Sequence, residues 1–165
     1  NNIWYFIKNG VKDNSDTLVK HSDGKYYHVK DGKLVKDTTL VKYKGQWIYV
    51  KNGILNKSNT LVKYNNKWYH VKDGVKSNYT GLFKYNGVWY YIKNGAKDNS
   101  DTLVKHTNGK WYYVKGGKTV NDTTLVKYNN KWYHVKNGVK SSYTGLFKYA
   151  GKYYYIKKLP ILQVF

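Results

Sequence analysis

No cysteine, methionine, arginine or glutamate occurs among the 165 residues, and alanine appears twice and proline once. Without cysteine there is no disulfide framework, no thiolate metal site and no cysteine nucleophile; the compartment stays open, since secreted bacterial proteins often lack cysteine too. With most of the strong helix formers missing, few helices are expected. Arginine is the residue that reads base edges and buried phosphates with a bidentate fork, and lysine offers only a point charge. Sequence-specific nucleic-acid binding is therefore disfavoured. The chain also contains no signal-peptide pattern and no apolar run long enough to span a bilayer as a helix, so no transmembrane segment is expected.

What is present is lopsided. Thirty lysines face nine aspartates, a formal charge of +21, and 20 tyrosines and six tryptophans bring the aromatic share to 18%. Such a charge attracts polyanions: nucleic acid, teichoic acid and other wall polymers, acidic glycans or anionic lipid.

A short motif, Leu-(Val/Phe)-Lys-(Tyr/His), begins at Leu18, Leu40, Leu61, Leu82, Leu103, Leu125 and Leu146, at intervals of 21 or 22 residues. Residues 61–81 and 125–145 differ only at Asp73 against Asn137 and Asn78 against Ser142, and the stretch Trp4 to Thr17 returns almost unchanged as Trp89 to Thr102. Self-similarity at this period signals a repeat array. In each unit two β-prone runs flank a turn pair such as Asn65-Asn66, Asn86-Gly87, Lys44-Gly45 or Ala150-Gly151. These residues suit the positive φ of a two-residue type I′ hairpin turn. Ser22-Asp23-Gly24 and Thr107-Asn108-Gly109 fit three-residue turns, and a second turn follows at Asp31-Gly32, Asn52-Gly53, Asp73-Gly74, Asn94-Gly95 and Asn137-Gly138. Polar stretches such as 76–80 then lead into the next unit. The fold class expected is all-β, a repetitive, β-solenoid-like stack of about seven to eight units of 21–22 residues. The array is expected over 1–158, with an incomplete first unit at 1–17 and units starting at 18, 40, 61, 82, 103, 125 and 146. Residues 159–165 break the pattern, as a terminal cap or as a boundary. Because the chain opens within a repeat, it is expected to be a fragment of a longer protein.

Strand alternation sorts each hairpin into two faces. One is purely apolar or aromatic, as in Val62, Tyr64, Tyr69 and Val71, and reads as core. The other is mixed, as in Leu61, Lys63, Trp68, His70 and Lys72, and is expected to be half-wet. Tryptophan beside lysine there has two readings: packing with a cation–π contact, or a platform on which a sugar ring or a quaternary ammonium lies while lysine engages phosphate or carboxylate. Repetition of such faces would supply avidity toward a repeating polymer. The candidate ligand-binding residues are Trp47, Tyr49, Lys63, Trp68, His70, Lys84, Trp89, Tyr91, Trp111, Tyr113, Lys127, Trp132 and His134.

Catalytic chemistry finds no support. The aspartates fall in turns and loops, where they bond local backbone, and no carboxylate pair stands out for acid–base work. No enzyme activity, catalytic residue or cofactor is expected. Asp13-Asn14-Ser15-Asp16 reads as a loop turn more readily than as a calcium loop, and the five histidines lack ligand spacing, so no metal is expected. His28, His70 and His134 stand where other units carry Tyr49, Tyr91 and Tyr113. Protonation near pH 6 is expected to add charge to the mixed face.

Segments such as 80–97 (TGLFKYNGVWYYIKNGAK) and 124–140 (TLVKYNNKWYHVKNGVK) resemble the cell-wall-binding repeats of choline-binding and glucan-binding proteins of Gram-positive bacteria. The resemblance rests on a Trp-Tyr-Tyr step between two glycine turns and extends to about Lys158. It implies an extracellular, cell-surface β-hairpin array, part of a larger multidomain surface protein, binding polymer between successive hairpins. The family's Gly-Trp pair falls here on leucine: Leu82 and Leu146 after Gly, and Leu18, Leu40, Leu61, Leu103 and Leu125 after Thr. A choline cage that needs that Trp is incomplete, and only the second-strand aromatics carry over, Trp47, Trp68, Trp89, Trp111 and Trp132, with Tyr153 in the last unit. The partner expected is a cell-wall or extracellular polysaccharide or teichoic acid. The alternatives are an adhesin repeat for host mucin or glycosaminoglycan, and a passive spacer.

Overall fold

The computed structural model describes residues 3–157; the tail at 159–165 lies outside the described residues. Among the described residues there are 22 antiparallel strands and no helix, and hence no helix long and apolar enough to cross a membrane. The chain divides into two compact units of the same construction, one comprising residues up to 79 with 94–96, the other 80–93 with 97 onward.

The hairpin register is the one the turns dictate. Thr60–Tyr64 pairs with Lys67–Lys72 so that Tyr64 faces Lys67 and Trp68 faces Lys63, leaving Asn65 and Asn66 as a two-residue loop at φ 45° and 62°. Both positive angles define a type I′ turn, whose twist matches that of the strands. Where the loop is one residue longer, His21 donates its N–H to the Lys25 carbonyl and Gly24 alone among the three loop residues takes positive φ.

The expectation of a hairpin followed by an irregular loop is incomplete. After the second turn a two-residue strand pairs back on the unit's own second strand: Val75–Lys76 returns to Val71 and Lys72, and Lys33–Leu34 to Val29 and Lys30. This third strand also reaches the preceding hairpin by a single bridge, Val75 to Ile48 and Val139 to Tyr112. Backbone bonds reinforce the link: Tyr49 N–H donates to the Gly74 carbonyl at 2.7 Å, and Tyr113 N–H to that of Gly138 at 2.8 Å. Among the described residues the links from one hairpin to the next strand group are single bridges, so this is a succession of hairpins and not a closed barrel.

Because successive hairpins within each compact unit lie against one another, the mixed face is not half-wet along its length. Leu61 and His70 are as buried as Val62 on the opposite face. Leu40 and Tyr49, from the mixed face of one hairpin, form a single cluster with Val62 and Val71 from the apolar face of the next, and Leu103 and Tyr113 do the same with Val126 and Val135. Each fully buried valine, such as Val50, Val71, Val114 and Val135, contributes about 1.5–3 kcal/mol of transfer free energy. A lone hairpin would have no partner for either face.

Candidate functional site

At or one residue after the start of each of these second strands, a tryptophan stands directly across from the lysine of the Leu-Val/Phe-Lys motif: Lys42 opposite Trp47, Lys63 opposite Trp68, Lys84 opposite Trp89, Lys105 opposite Trp111 and Lys127 opposite Trp132. Lys63, Lys84 and Lys127 are exposed; Trp47, Trp68, Trp89 and Trp111 are half-buried and Trp132 is 37% exposed. Lys84 Nζ stands 6.0 Å from the Trp89 ring centroid. Two residues further along, Tyr49, His70, Tyr113 and His134 are buried and Tyr91 is half-buried. The candidate residues therefore fall into two groups, an accessible one of Trp and Lys and a seam-filling one of Tyr and His.

Tyr49 and Tyr113, placed among ligand residues on the expectation of a half-wet face, pack instead in the seam clusters, because the neighbouring hairpin covers them. His70 and His134 each hold Nδ1 at 2.6 Å from a serine hydroxyl of their own unit, Ser77 and Ser141. Burial, aided by Lys72 and Lys136, pushes both imidazoles below the usual histidine range. The premise that they add charge to a wet face near pH 6 does not hold for this pair. His28 is held differently, with Nδ1 2.7 Å from Asp37 and Nε2 2.8 Å from Asp16.

The tryptophans do not stand alone. Trp47 meets Tyr64 at a ring separation of 4.9 Å, Trp89 meets His106 at 4.9 Å, Trp111 meets Tyr128 at 5.2 Å, Trp132 meets Tyr149 at 5.8 Å and Trp4 meets His21 at 5.3 Å. In every case the partner is the fourth motif residue of the following hairpin, 17 residues on. A second-strand tyrosine of that hairpin closes the cluster: Tyr133 lies 6.4 Å from Tyr128, Tyr112 5.8 Å from His106, and Tyr27 5.8 Å from His21. The cleft is thus made by the mixed face of one hairpin and the apolar face of the next. Strand alternation alone assigns Tyr64 to the core; the constant 17-residue interval, Trp47 to Tyr64, Trp89 to His106 and Trp111 to Tyr128, is the signal that links these positions to tryptophan.

Two of these clefts enclose cavities. One, of about 200 Å³, lies among Trp4, Tyr5, His21, Tyr27 and Leu34. The other, of about 240 Å³, lies among Trp89, His106, Tyr112 and the amides of Asn108, Asn121 and Asn137. Both belong to hairpins with three-residue turns, where a turn residue ties down the tyrosine: Tyr27 donates its hydroxyl proton to Asp23 at 2.7 Å, and the Asn108 amide donates to the Tyr112 hydroxyl at 2.8 Å.

A family model of the choline-binding repeat matches residues 1–13, 14–35, 36–56, 57–76, 78–98, 99–118, 121–140 and 142–158. The chain belongs to the choline-binding repeat family. Its repeats are similar to those of CbpJ from Streptococcus pneumoniae TIGR4, at 21% identity and TM-score 0.41 over 93% of this chain and 53% of that one. They are also similar to choline binding protein F from Streptococcus pneumoniae, solved in the presence of a peptidoglycan analogue, at 24% identity and TM-score 0.39 over 93% and 53%. A third similar structure is the alternansucrase ASR in complex with isomaltononaose, at 21% identity and TM-score 0.40 over 85% of this chain and 11% of that one. The chain spans about half the length of the first two. No curated protein sequence matches it at a significant level. In this member of the family six of the leucines that replace the Gly-Trp tryptophan, Leu18, Leu40, Leu61, Leu82, Leu103 and Leu125, are buried, Leu146 is exposed, and none presents a ring to a ligand.

Proposed function

We propose that this chain is a non-catalytic, extracellular module of a larger surface protein that attaches to an anionic or carbohydrate polymer: cell-wall polysaccharide, teichoic acid or glucan. The observation that carries the reading is the recurrence, hairpin after hairpin, of an accessible tryptophan held against the next hairpin's Tyr or His, with an exposed lysine directly across the strand pair. The indole offers a flat face to a sugar ring, the lysine a charge to a phosphate or carboxylate, and several weak sites on one chain multiply into useful avidity. Trp47, Trp68, Trp89, Trp111 and Trp132 with Lys63, Lys84 and Lys127 carry this contact; Tyr49, Tyr91, Tyr113, His70 and His134 support it by filling the seams.

The test is a sedimentation assay against purified wall, wall teichoic acid, α-glucan, mucin and heparin across a salt series. Retention on wall, teichoic acid or glucan that is lost in Trp68→Ala/Trp132→Ala supports the module. Binding to mucin or heparin alone, vanishing with salt, assigns the chain to host-directed adhesion, and no binding at all leaves a spacer.

A further inference from the structure

The third strand carries a feature that the binding reading does not use. At one equivalent position the repeats hold Lys12, Leu34, Leu55, Lys76, Lys97, Thr119 and Lys140. Lys76 pairs directly with Val71 and Lys140 with Val135, which places each lysine on the face of the tyrosine two residues earlier. The ammonium groups accordingly lie over those rings: Lys76 Nζ is 4.5 Å from the Tyr69 centroid, Lys140 Nζ 4.2 Å from that of Tyr133, and Lys97 Nζ 5.2 Å from that of Tyr90. Tyr69 and Tyr133 are members of two of the aromatic clefts, packed with Trp47 and Tyr64 in one and with Trp111 and Tyr128 in the other.

The face of an aromatic ring attracts a cation, and a further cation brought to the same cleft meets like-charge repulsion from the first; Tyr90 holds two ammonium groups, Lys97 at 5.2 Å and Lys118 at 5.8 Å, both farther from the ring than those over Tyr69 and Tyr133. In these two clefts a tethered ammonium already lies over the Tyr69 or the Tyr133 ring. That ammonium is not neutralised: among the described residues neither Lys76 nor Lys140 has a carboxylate within ion-pair distance, whereas Lys115 stands 4.0 Å from Asp122. An ammonium carries three N–H donors, and its charge is available to an anionic group that enters the cleft.

We propose that Lys76 and Lys140 are specificity-determining residues that occupy the cation place of their clefts from within, excluding quaternary ammonium ligands and turning these sites toward anionic groups on a polymer. The proposal rests on the binding-module reading and names the ligand class of its sites: phosphate, sulfate or carboxylate groups beside a ring that can lie on Trp47 or Trp111. The Trp4 and Trp89 clefts have Leu34 and Thr119 at the same position; the ammonium groups near their rings stand farther off, Lys12 at 5.4 Å from the Tyr5 centroid and Lys84 at 6.0 Å from that of Trp89.

The test compares the whole chain with its Lys76→Gln/Lys140→Gln variant, and with Lys76→Leu/Lys140→Leu, which installs the residue that Leu34 and Leu55 already supply elsewhere. Lys57→Gln/Lys110→Gln, two exposed lysines, controls for net charge. Tryptophan fluorescence and calorimetry are read during titration with choline chloride, with polyglycerol phosphate and with heparin, the last two separating phosphate from sulfate and carboxylate sources. The expected result is that at least one Lys76/Lys140 variant gains a saturable choline response at the Trp47 and Trp111 clefts that the wild type lacks there, as read by its loss in Trp47→Ala/Trp111→Ala. The same variant loses severalfold more affinity for the polyanion than the control pair. A wild type whose Trp47 and Trp111 clefts already take choline, or variants that gain no choline response, overturns the proposal while leaving the module reading in place. If the wild type binds neither polymer, the module reading fails, and the choline titration still decides the role of the two lysines.

Discussion

The histidines show how one residue type is put to different uses at equivalent positions. His70 and His134 are buried, each beside a serine hydroxyl and near a lysine, and the fold favours their neutral form. Because their folded pKa values lie below the unfolded one, the unfolded chain takes up protons first as pH falls through about 6.5, and stability declines from that point downward. The expected outcome is that wild-type Tm drops between about pH 7 and pH 5 by more than that of His70→Tyr/His134→Tyr, which installs the residue found at 49, 91 and 113. Thermal scans across that range check it; equal slopes would show that these two imidazoles are not the acid-sensitive groups. His28 stands apart, 3% exposed with both ring nitrogens on carboxylates. Replacing it by leucine removes both hydrogen bonds and leaves the exposed Asp16 and Asp37 carboxylates to water, a loss of about 1–3 kcal/mol measured by urea unfolding.

At the level of the element, the glycine of the second turn explains why the repeats pack so closely. Gly74 has φ of 80°, and a Cβ there would lie 2.6 Å from the Asn56 carbonyl oxygen, on the backbone of the preceding unit. Gly45 has nearly the same φ, 79°, with nothing within 4 Å of its Cβ position. Gly45→Ala should therefore cost about 1–2 kcal/mol, the ordinary penalty for a left-handed alanine. Gly74→Ala should cost more than that, since the Tyr49 to Gly74 backbone bond must also give way, and chemical denaturation of the two variants separates the terms. The hairpins themselves were legible in the sequence because Asn65-Asn66 and Asn86-Gly87 name their turn type and the flanking runs alternate cleanly. The third strand was not, since two residues such as Val75-Lys76 or Lys118-Thr119 carry no periodicity, and their pairing is set by the turn before them. The same limit hid the clefts: alternation assigns Trp47 and Tyr64 to different faces, and only the stacking of consecutive hairpins brings those faces together.

For the molecule as a whole the decisive quantity is the imbalance of 30 lysines against nine aspartates. The motif lysines Lys42, Lys63, Lys84, Lys105 and Lys127 recur every 21 or 22 residues, each opposite a tryptophan, so charge of one sign recurs beside each of these indoles. Such accumulation opposes folding through self-repulsion and favours polyanion binding through the same field. Salt screens both, so the two properties should respond in opposite directions. Raising ionic strength from about 0.01 M to 1 M shortens the screening length from about 30 Å to 3 Å, and Tm is expected to rise over that range. Affinity for polyglycerol phosphate is expected to fall over the same range, log K declining linearly with log salt as displaced counterions return. Calorimetry at matched salt concentrations reads both quantities on one sample. A Tm that falls with salt would mean that favourable charge contacts outweigh the lysine repulsion. A polymer affinity that does not move would transfer the binding from the lysines to the tryptophan faces alone, because ring stacking on a neutral sugar carries no counterions to release.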